Sequence, residues 1–198
     1  MPSFPRKRLV LGLALAGFAD LTQAAGFALV EQNASGLGNA YAGAAAVAED
    51  ASTIFFNPAG MSLLPDRQLV LVGHLIKPGM EFSGTVSPAL GGGEGGDAGS
   101  WSFVPNAYYA FRVSPRMHLG IGLNSPFGLK TEYDSGWIGR FQAIKSELKT
   151  VNVNPSVAYK VSDTLSVGAG LNVQRIDAEL TNLTAVGLAK VKGDDYGW

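Results

Sequence analysis

Between residues 151 and 161 every second position is apolar or aromatic (Val151, Val153, Pro155, Val157, Tyr159, Val161), with Asn152, Asn154, Ser156, Ala158 and Lys160 between them. Residues 164–174 repeat the rule: Leu165, Val167, Ala169, Leu171 and Val173 alternate with Thr164, Ser166, Gly168, Gly170, Asn172 and Gln174. Over 117–124, Met117, Leu119, Ile121 and Leu123 face one way, and His118, Gly120, Gly122 and Asn124 the other. A period of two held over about ten residues specifies a strand with one apolar and one polar face. The pattern predicts strands over 67–82, 102–113, 116–129, 147–161 and 164–180, and a further one starting near Asp194.

Two sandwiched soluble sheets also alternate, so the direction of each face needs its own argument. The polar face is uncharged and small (Gly, Ser, Asn, Thr), whereas a soluble sheet turns Lys, Glu and Arg to water. Outer-membrane barrels turn aliphatic side chains to lipid and small polar ones to the lumen. Strands of about ten residues fit a tilted crossing. Trp101, Tyr108, Tyr109, Phe111 and Tyr159 stand near strand ends, where an aromatic girdle belongs. Residues 114–116 and 162–163 read as tight turns, 83–100 and 130–147 as long Gly-rich or polar loops, the asymmetry of a transmembrane barrel. The fold class is therefore all-β, a transmembrane antiparallel barrel. About five strands fall short of the roughly eight that close the smallest single-chain barrels. The sequence is thus expected to be the N-terminal part of a longer protein, continuing for roughly 200 to 270 residues of the same pattern.

Ahead of the strands, Arg6, Lys7 and Arg8 precede the apolar run 9–19, with small residues at Ala24 and Ala25. This is the layout of a cleaved secretory signal, 1–24, and the run is too short for a membrane anchor. Its removal takes three basic residues and Asp20 from totals of 15 and 16, leaving 12 basic and 15 acidic, a net charge of −3. No basic patch points to nucleic acid. The absence of cysteine excludes disulfides and thiolate metal sites. Of the two histidines, His118 lies on the polar face and His74 on the more apolar parity of its strand. Neither pairs with a serine at readable spacing, and two isolated histidines make no metal site. No catalytic residue, metal or cofactor is expected. The tract 91–99 lacks the lysine and strand–loop–helix setting of a phosphate cradle and reads as a loop.

Residues 25–66 do not alternate. Gly36, Gly38 and Gly43 surround alanines 44–46 and 48, Asp50 is placed to cap a helix over 51–56, and Asn57 to cap another with Pro58 at its first position. Asn57-Pro58-Ala59 is thus helix punctuation; the water-channel tripeptide it resembles needs long apolar spans that are absent. A compact, weakly charged segment before a lumen-facing sheet suits a plug, with Phe27, Leu29, Phe55, Phe56, Met61 and Leu63 as its greasy surfaces. The organisation is signal 1–24, hatch 25–66 and the first part of a barrel, 67–198.

The ordered set Ala25-Gly26-Phe27, Ser35-Gly36-Leu37-Gly38, Tyr41, Gly43, Glu49-Asp50 and Asn57-Pro58-Ala59 resembles the N-terminus of the FadL/TodX family of outer-membrane transporters for long-chain fatty acids and aromatic hydrocarbons. Residues 101–106, 124–129 with Glu132, and 193–198 are similar to the same family. The resemblance implies a monomeric fourteen-stranded barrel with an N-terminal hatch in its lumen. It also implies a hatch tripeptide lying against a kinked third strand whose kink opens the wall sideways. Here alternation fails at Asn124, Ser125 and Pro126, before Phe127 and Gly128, and proline cannot donate to a ladder; a strand ending in an outer loop is the other reading.

The function expected is passive uptake of hydrophobic small molecules, long-chain fatty acids first and aromatic hydrocarbons as the alternative cargo. Ligand would contact Phe27, Leu29, Phe55 and Phe56 and leave sideways at 124–128. A fatty acid needs a cation for its carboxylate, for which Arg112, Lys160 and Arg175 are candidates by character. Outer-membrane lipid and lipopolysaccharide would surround the wall. A general porin, a barrel lipid hydrolase and a soluble periplasmic β-protein are the competing classes.

Overall fold

The computed structural model describes residues 28–84, 91–184 and 187–197. The signal segment and Phe27 lie outside them. Among the described residues eight strands form one antiparallel sheet: β1 (Arg67–Ile76), β2 (Ser102–Ser114), β3 (Met117–Asn124), β4 (Gly128–Glu132), β5 (Lys145–Lys160), β6 (Ser166–Gly170), β7 (Val173–Thr184) and β8 (Gly187–Gly197). The order is β1-β2-β3-β5-β7-β8, with β4 and β6 also pairing β5. β4 takes up β3's line, since β3 pairs with β5 as far as Asn152 and β4 resumes at Lys149. β6 and β7 likewise share the opposite flank of β5, meeting between Ser156 and Val153. β5, unbroken over 16 residues, is the rail to which both interrupted lines are fixed.

Several expected boundaries differ, each for a local reason. β1 stops at Ile76, not 82, because Pro78 follows within two residues and has no amide to donate. The strand expected over 116–129 is two strands, and so is that over 164–180, whose second part runs on to Thr184. The last strand begins at Gly187 rather than near Asp194 and pairs with β7 from Thr184↔Gly187 onward. Its Lys190-Val191-Lys192 alternation carries charge where the other strands carry aliphatics, which hid it from a search for apolar periodicity.

On β5 the odd positions Val151 and Val153 are 51% and 37% exposed, whereas Asn152 and Asn154 are 2% and 4% exposed. Register carries that face across the sheet: Leu123↔Val153, Ala107↔Leu123 and Leu71↔Ala107 all point outward. The small polar face is covered, and residues 28–66 are what cover it. In these residues a single helical turn, Thr53–Phe56, precedes a 3₁₀ helix, Pro58–Leu63, which contacts β5, β6 and β3. Ala51, Ile54, Met61 and Leu64 form the core together with Tyr108, Ala110 and Ala158 from the wall. Burying Ile54 and Met61 completely contributes about 1.5–3 kcal/mol each.

That approach depends on wall residues without side chains. A Cβ on Gly120 would fall 2.5 Å from Met61 Sδ and 2.6 Å from Ile54 Cδ1. A Cβ on Gly168 would meet the backbone nitrogen of Ala59 at an impossible separation, with the Pro58 carbonyl carbon 2.7 Å away. Tyr108, expected among the girdle residues, is fully buried on the inward face instead, while Trp101 and Tyr159 remain exposed on the outward one.

Asp97 organises the β1–β2 connection: its Oδ1 accepts from the amides of Met80 and Gly99, both at 2.9 Å. These bonds, with Lys77 nearby, hold its carboxyl below the usual aspartate value. A depressed carboxyl stabilises the folded form above its unfolded pKa and loses that contribution as pH falls.

Three outcomes are expected. In reconstituted membranes, nitroxides at Val153, Val157 and Leu171 should collide with oxygen in preference to a water-soluble relaxant, and those at Asn152 and Ser156 should be shielded from both. Gly168→Val should lower the denaturant midpoint by the equivalent of roughly 1–3 kcal/mol or more, since backbone cannot move aside, while Gly38→Ala, which meets nothing within 4 Å, should not. Hydrogen-exchange protection of the Met80 and Gly99 amides should decline as pH drops below about 4 and already be low at pH 7 in Asp97→Ala.

Candidate functional site: the covered lumen face and the interrupted third strand

The Asn57 tripeptide is held by its own side chain. Asn57 adopts an extended backbone, its Oδ1 accepts from Ala59 N at 3.2 Å, and Nδ2 donates to Ala45 O at 2.9 Å. Pro58 sits at the first helical position, where its missing N–H leaves nothing unsatisfied. Ser62 extends the contact by donating to Ser166 Oγ at 2.8 Å. The Pro58–Ala59 backbone thus lies against β6 at Gly168, and the 3₁₀ helix it opens also reaches β3, where Met61 lies over Gly120. Asp50 does not cap the helical turn directly. It accepts from Ser52 N at 2.8 Å one residue before the turn begins, and also from Ser35 Oγ at 3.2 Å.

What reaches the interrupted strand is the first described stretch of chain. Ala28 forms an antiparallel bridge with Phe127, Leu29 N donates to Pro126 O at 2.9 Å, and the Leu29 side chain lies over Gly128. On the other side Thr150 of β5 stitches the gap: its Oγ1 accepts from Phe127 N at 3.0 Å and donates to Phe127 O at 2.5 Å. Ser125 Oγ donates to Thr150 O at 2.7 Å, and Asn124 Oδ1 accepts from Asn152 at 3.2 Å. Where residues 125–127 leave the ladder, both backbone groups of Phe127 and the Pro126 carbonyl are therefore still paired.

A matching device serves the β6–β7 interruption. Asn152 and Asn154 both donate to Asn172 Oδ1 at 2.9 Å, and Leu171 N donates to Pro155 O at 3.0 Å. Neither Thr150 nor the asparagine cluster was singled out from sequence. Their inward parity was visible; their partners were not. The same holds for Gln32 and Tyr108, which share a buried hydrogen bond of 2.5 Å, and for Asn106, which donates to Glu31 O at 2.7 Å.

At the level of these interruptions the chemistry of the two faces exchanges without any change of register. Below it, aliphatics point outward. Above it, the outward row reads Lys149, Glu147 and Lys145 on β5, opposite Asp177, Glu179 and Thr181 on β7. The inward row becomes aliphatic: Leu129 pairs with Leu148, Leu148 with Ala178, and Leu180 with Val191. Leu180 and Val191 are 54% and 67% exposed.

The remaining candidates are placed apart. Phe55 and Phe56 meet edge to face at 5.0 Å; Phe56 stacks on Tyr41 and Phe55 packs against the core, so both are engaged within 28–66. Arg112 is ion-paired with Asp66, and Lys160 with Asp163 at 3.0 Å beside a tight turn. Arg175 points outward, paired with Asp177 at 2.9 Å and lying over the Tyr196 ring. The three are not brought together. His74 and His118 are both buried on the inward face, opposite Val104 and Arg112 of β2. Those positions are roughly 26 Å apart along the strand. No group of three metal-ligating side chains occurs among the described residues.

Comparison with known proteins agrees with this geometry. The family model described as outer membrane protein transport protein (OMPP1/FadL/TodX) matches residues 15–195. Outer membrane protein P1 of Haemophilus influenzae is 36% identical over 194 residues, covering 91% of this chain and 42% of that protein. The long-chain fatty acid transport protein of Escherichia coli K12 is 31% identical over 183 residues, covering 88% and 41%. The crystal structure of a Pseudomonas aeruginosa FadL homologue superposes with a TM-score of 0.70 at 26% identity, over 87% of this chain and 47% of that one. The chain spans less than half the length of these relatives. With its open antiparallel sheet forming part of a barrel wall, the chain belongs to the OMPP1/FadL/TodX family of outer-membrane transport proteins.

Proposed function

We propose that this chain supplies the hatch and the first wall strands of a channel for passive uptake of hydrophobic molecules, long-chain fatty acids in the first place. The observation that carries the reading is the exchange of faces beside the interrupted third strand. An inward aliphatic patch of Leu129, Leu148, Ile176, Leu180 and Val191 stands at the outer end of a wall whose deeper inward face is Asn, Ser and Gly. An alkyl chain gains by entering the patch and loses by continuing into the polar lumen. Its favourable exit is sideways into lipid, and residues 124–128 are where the wall's ladder is already open. The plug, residues 25–66, would govern that exit by holding Ala28 and Leu29 on Phe127 and Pro126, with Phe27 next in the chain as the contact for incoming ligand. Phe55 and Phe56 would serve the plug's own packing. Since Arg112, Lys160 and Arg175 each hold a carboxylate already, an aromatic hydrocarbon needing no counter-ion is the second cargo to test. The complete barrel would work as a monomer.

The names of the relatives support the cargo class: one is a long-chain fatty acid transport protein. The test is uptake of labelled oleate and toluene by a deletion strain complemented with the full-length gene. Uptake should fall severalfold on deletion. It should fall again when an Ala28→Cys/Phe127→Cys pair is oxidised across the bridge, and recover on reduction. Unchanged uptake in the deletion strain would remove the reading; rapid passage of small sugars in liposome swelling would favour a general porin instead.

A further inference from the structure

We propose that the outward face of β5, β7 and β8 at their outer ends is a docking surface for phosphate groups of the outer-leaflet glycolipid, held by Lys145, Lys149, Lys190 and Lys192. Three observations carry it.

The first is level. The outward aliphatic row of β5 runs from Tyr159 to Val151, about 26 Å along the strand and about 20 Å along the membrane normal at a ~40° tilt. That is close to the roughly 25 Å apolar band of such barrels. Tyr196, paired with Arg175 on the rung of Val151, marks the upper limit as an interfacial aromatic should. The lysines begin on the next rung, at headgroup height, on the face that looks at lipid.

The second is the charge balance. Glu147 accepts from Lys145 at 2.8 Å and Lys149 at 2.7 Å; Glu179 accepts from Lys145 at 3.3 Å, Lys190 at 2.8 Å and Lys192 at 3.1 Å. Four ammonium groups thus converge on two carboxylates, an excess of two positive charges. Of the neighbouring groups on the same face, Lys130 pairs with Glu132 at 3.5 Å, while Asp177 and Asp194 share the rung of Lys149 and are held at 2.9 and 3.7 Å by Arg175 from the rung nearer the membrane, so the face as a whole keeps an excess of one positive charge.

The third is accessibility. The carboxylates are the covered partners, with Glu147 and Glu179 side chains 12% and 18% exposed, while Lys149 and Lys192 are 69% and 65% exposed. Each of these two lysines touches a single carboxylate among the described residues, so its other ammonium protons are turned to the surroundings. Acids have been used to hold lysines in a row, and it is the lysines that face the bilayer surface. An anionic headgroup with several strong acceptors completes such an array, and lysine suits phosphate as a compact point charge. Lys190 and Lys192, on β8, lie away from the hatch and from the interrupted strand, whereas Lys149 pairs with Gly128 beside the interruption, so the β8 lysines are the ones that test the surface apart from the transport reading.

The test uses the full-length protein in phosphatidylcholine nanodiscs, with and without lipopolysaccharide, and measures retained glycolipid by native mass spectrometry. Wild type should retain the phosphorylated form, and Lys190→Gln/Lys192→Gln should reduce retention roughly tenfold, with Lys190→Arg/Lys192→Arg keeping most of it. Oleate uptake should be unchanged in both. If the glutamine pair fails to show the heat-modifiable gel mobility of an inserted barrel, Lys149→Gln provides the same comparison. Equal retention by wild type and the glutamine variants would overturn the proposal. So would equal retention of dephosphorylated lipopolysaccharide, or displacement by inorganic phosphate at matched concentration, which would make the site one for free anions.

Discussion

A backbone amide in hydrocarbon has no water to turn to, and each one left unpaired costs several kcal/mol. Two strand lines beside β5 are interrupted, at 125–127 and at 171–172, and the architecture is organised around making those interruptions affordable. At the first, Thr150 returns both hydrogen bonds to Phe127 from the sheet side, and Leu29 N reaches Pro126 O from the lumen side. At the second, Asn152, Asn154 and Asn172 knit side chains across the break while Leu171 N keeps a ladder-like bond to Pro155 O. β5 can tolerate a loosened neighbour on both flanks because it runs unbroken past them.

The two repairs differ in kind. The asparagine cluster lies wholly within the wall, so it is permanent as long as the wall stands. The bond from Leu29 comes from a separate stretch of chain, one that nothing in the sheet's own pairing requires. A wall defect closed by a partner from outside the sheet is what gives the proposed lateral exit its physical basis. The anchoring of the rest of that stretch, with Ile54 and Met61 over Gly120 and the Pro58–Ala59 backbone against Gly168, keeps the partner in register.

The exchange of faces at the same level ties the interior to the membrane. Below the interruptions the outward face satisfies lipid tails and the inward face satisfies a polar plug. Above them the outward face carries ion pairs, and the aliphatic side chains move inside. One uninterrupted register, along which the apolar side chains change face, therefore carries both the outward charged rungs and the inward apolar patch.

Alternation in the sequence determined which segments are strands and which face each presents, because lipid and lumen select opposite side chains at a period of two and that selection is local. Its failure also marked the third-strand break, through Pro126, while capping chemistry marked the helix punctuation at Asn57. It was silent on the break at 171–172, since Leu171 and Val173 keep the odd positions apolar straight through it. It misread β8, whose alternation is charged, and it assigned Tyr108 to a girdle when that side chain reaches Gln32. Which residues repair the breaks, where the Asn57 tripeptide rests, and which carboxylates hold Arg112, Lys160 and Arg175 were decided by tertiary structure alone. Those contacts join positions as remote as Leu29 and Pro126 or Ala59 and Gly168, and a two-residue period holds no information about them.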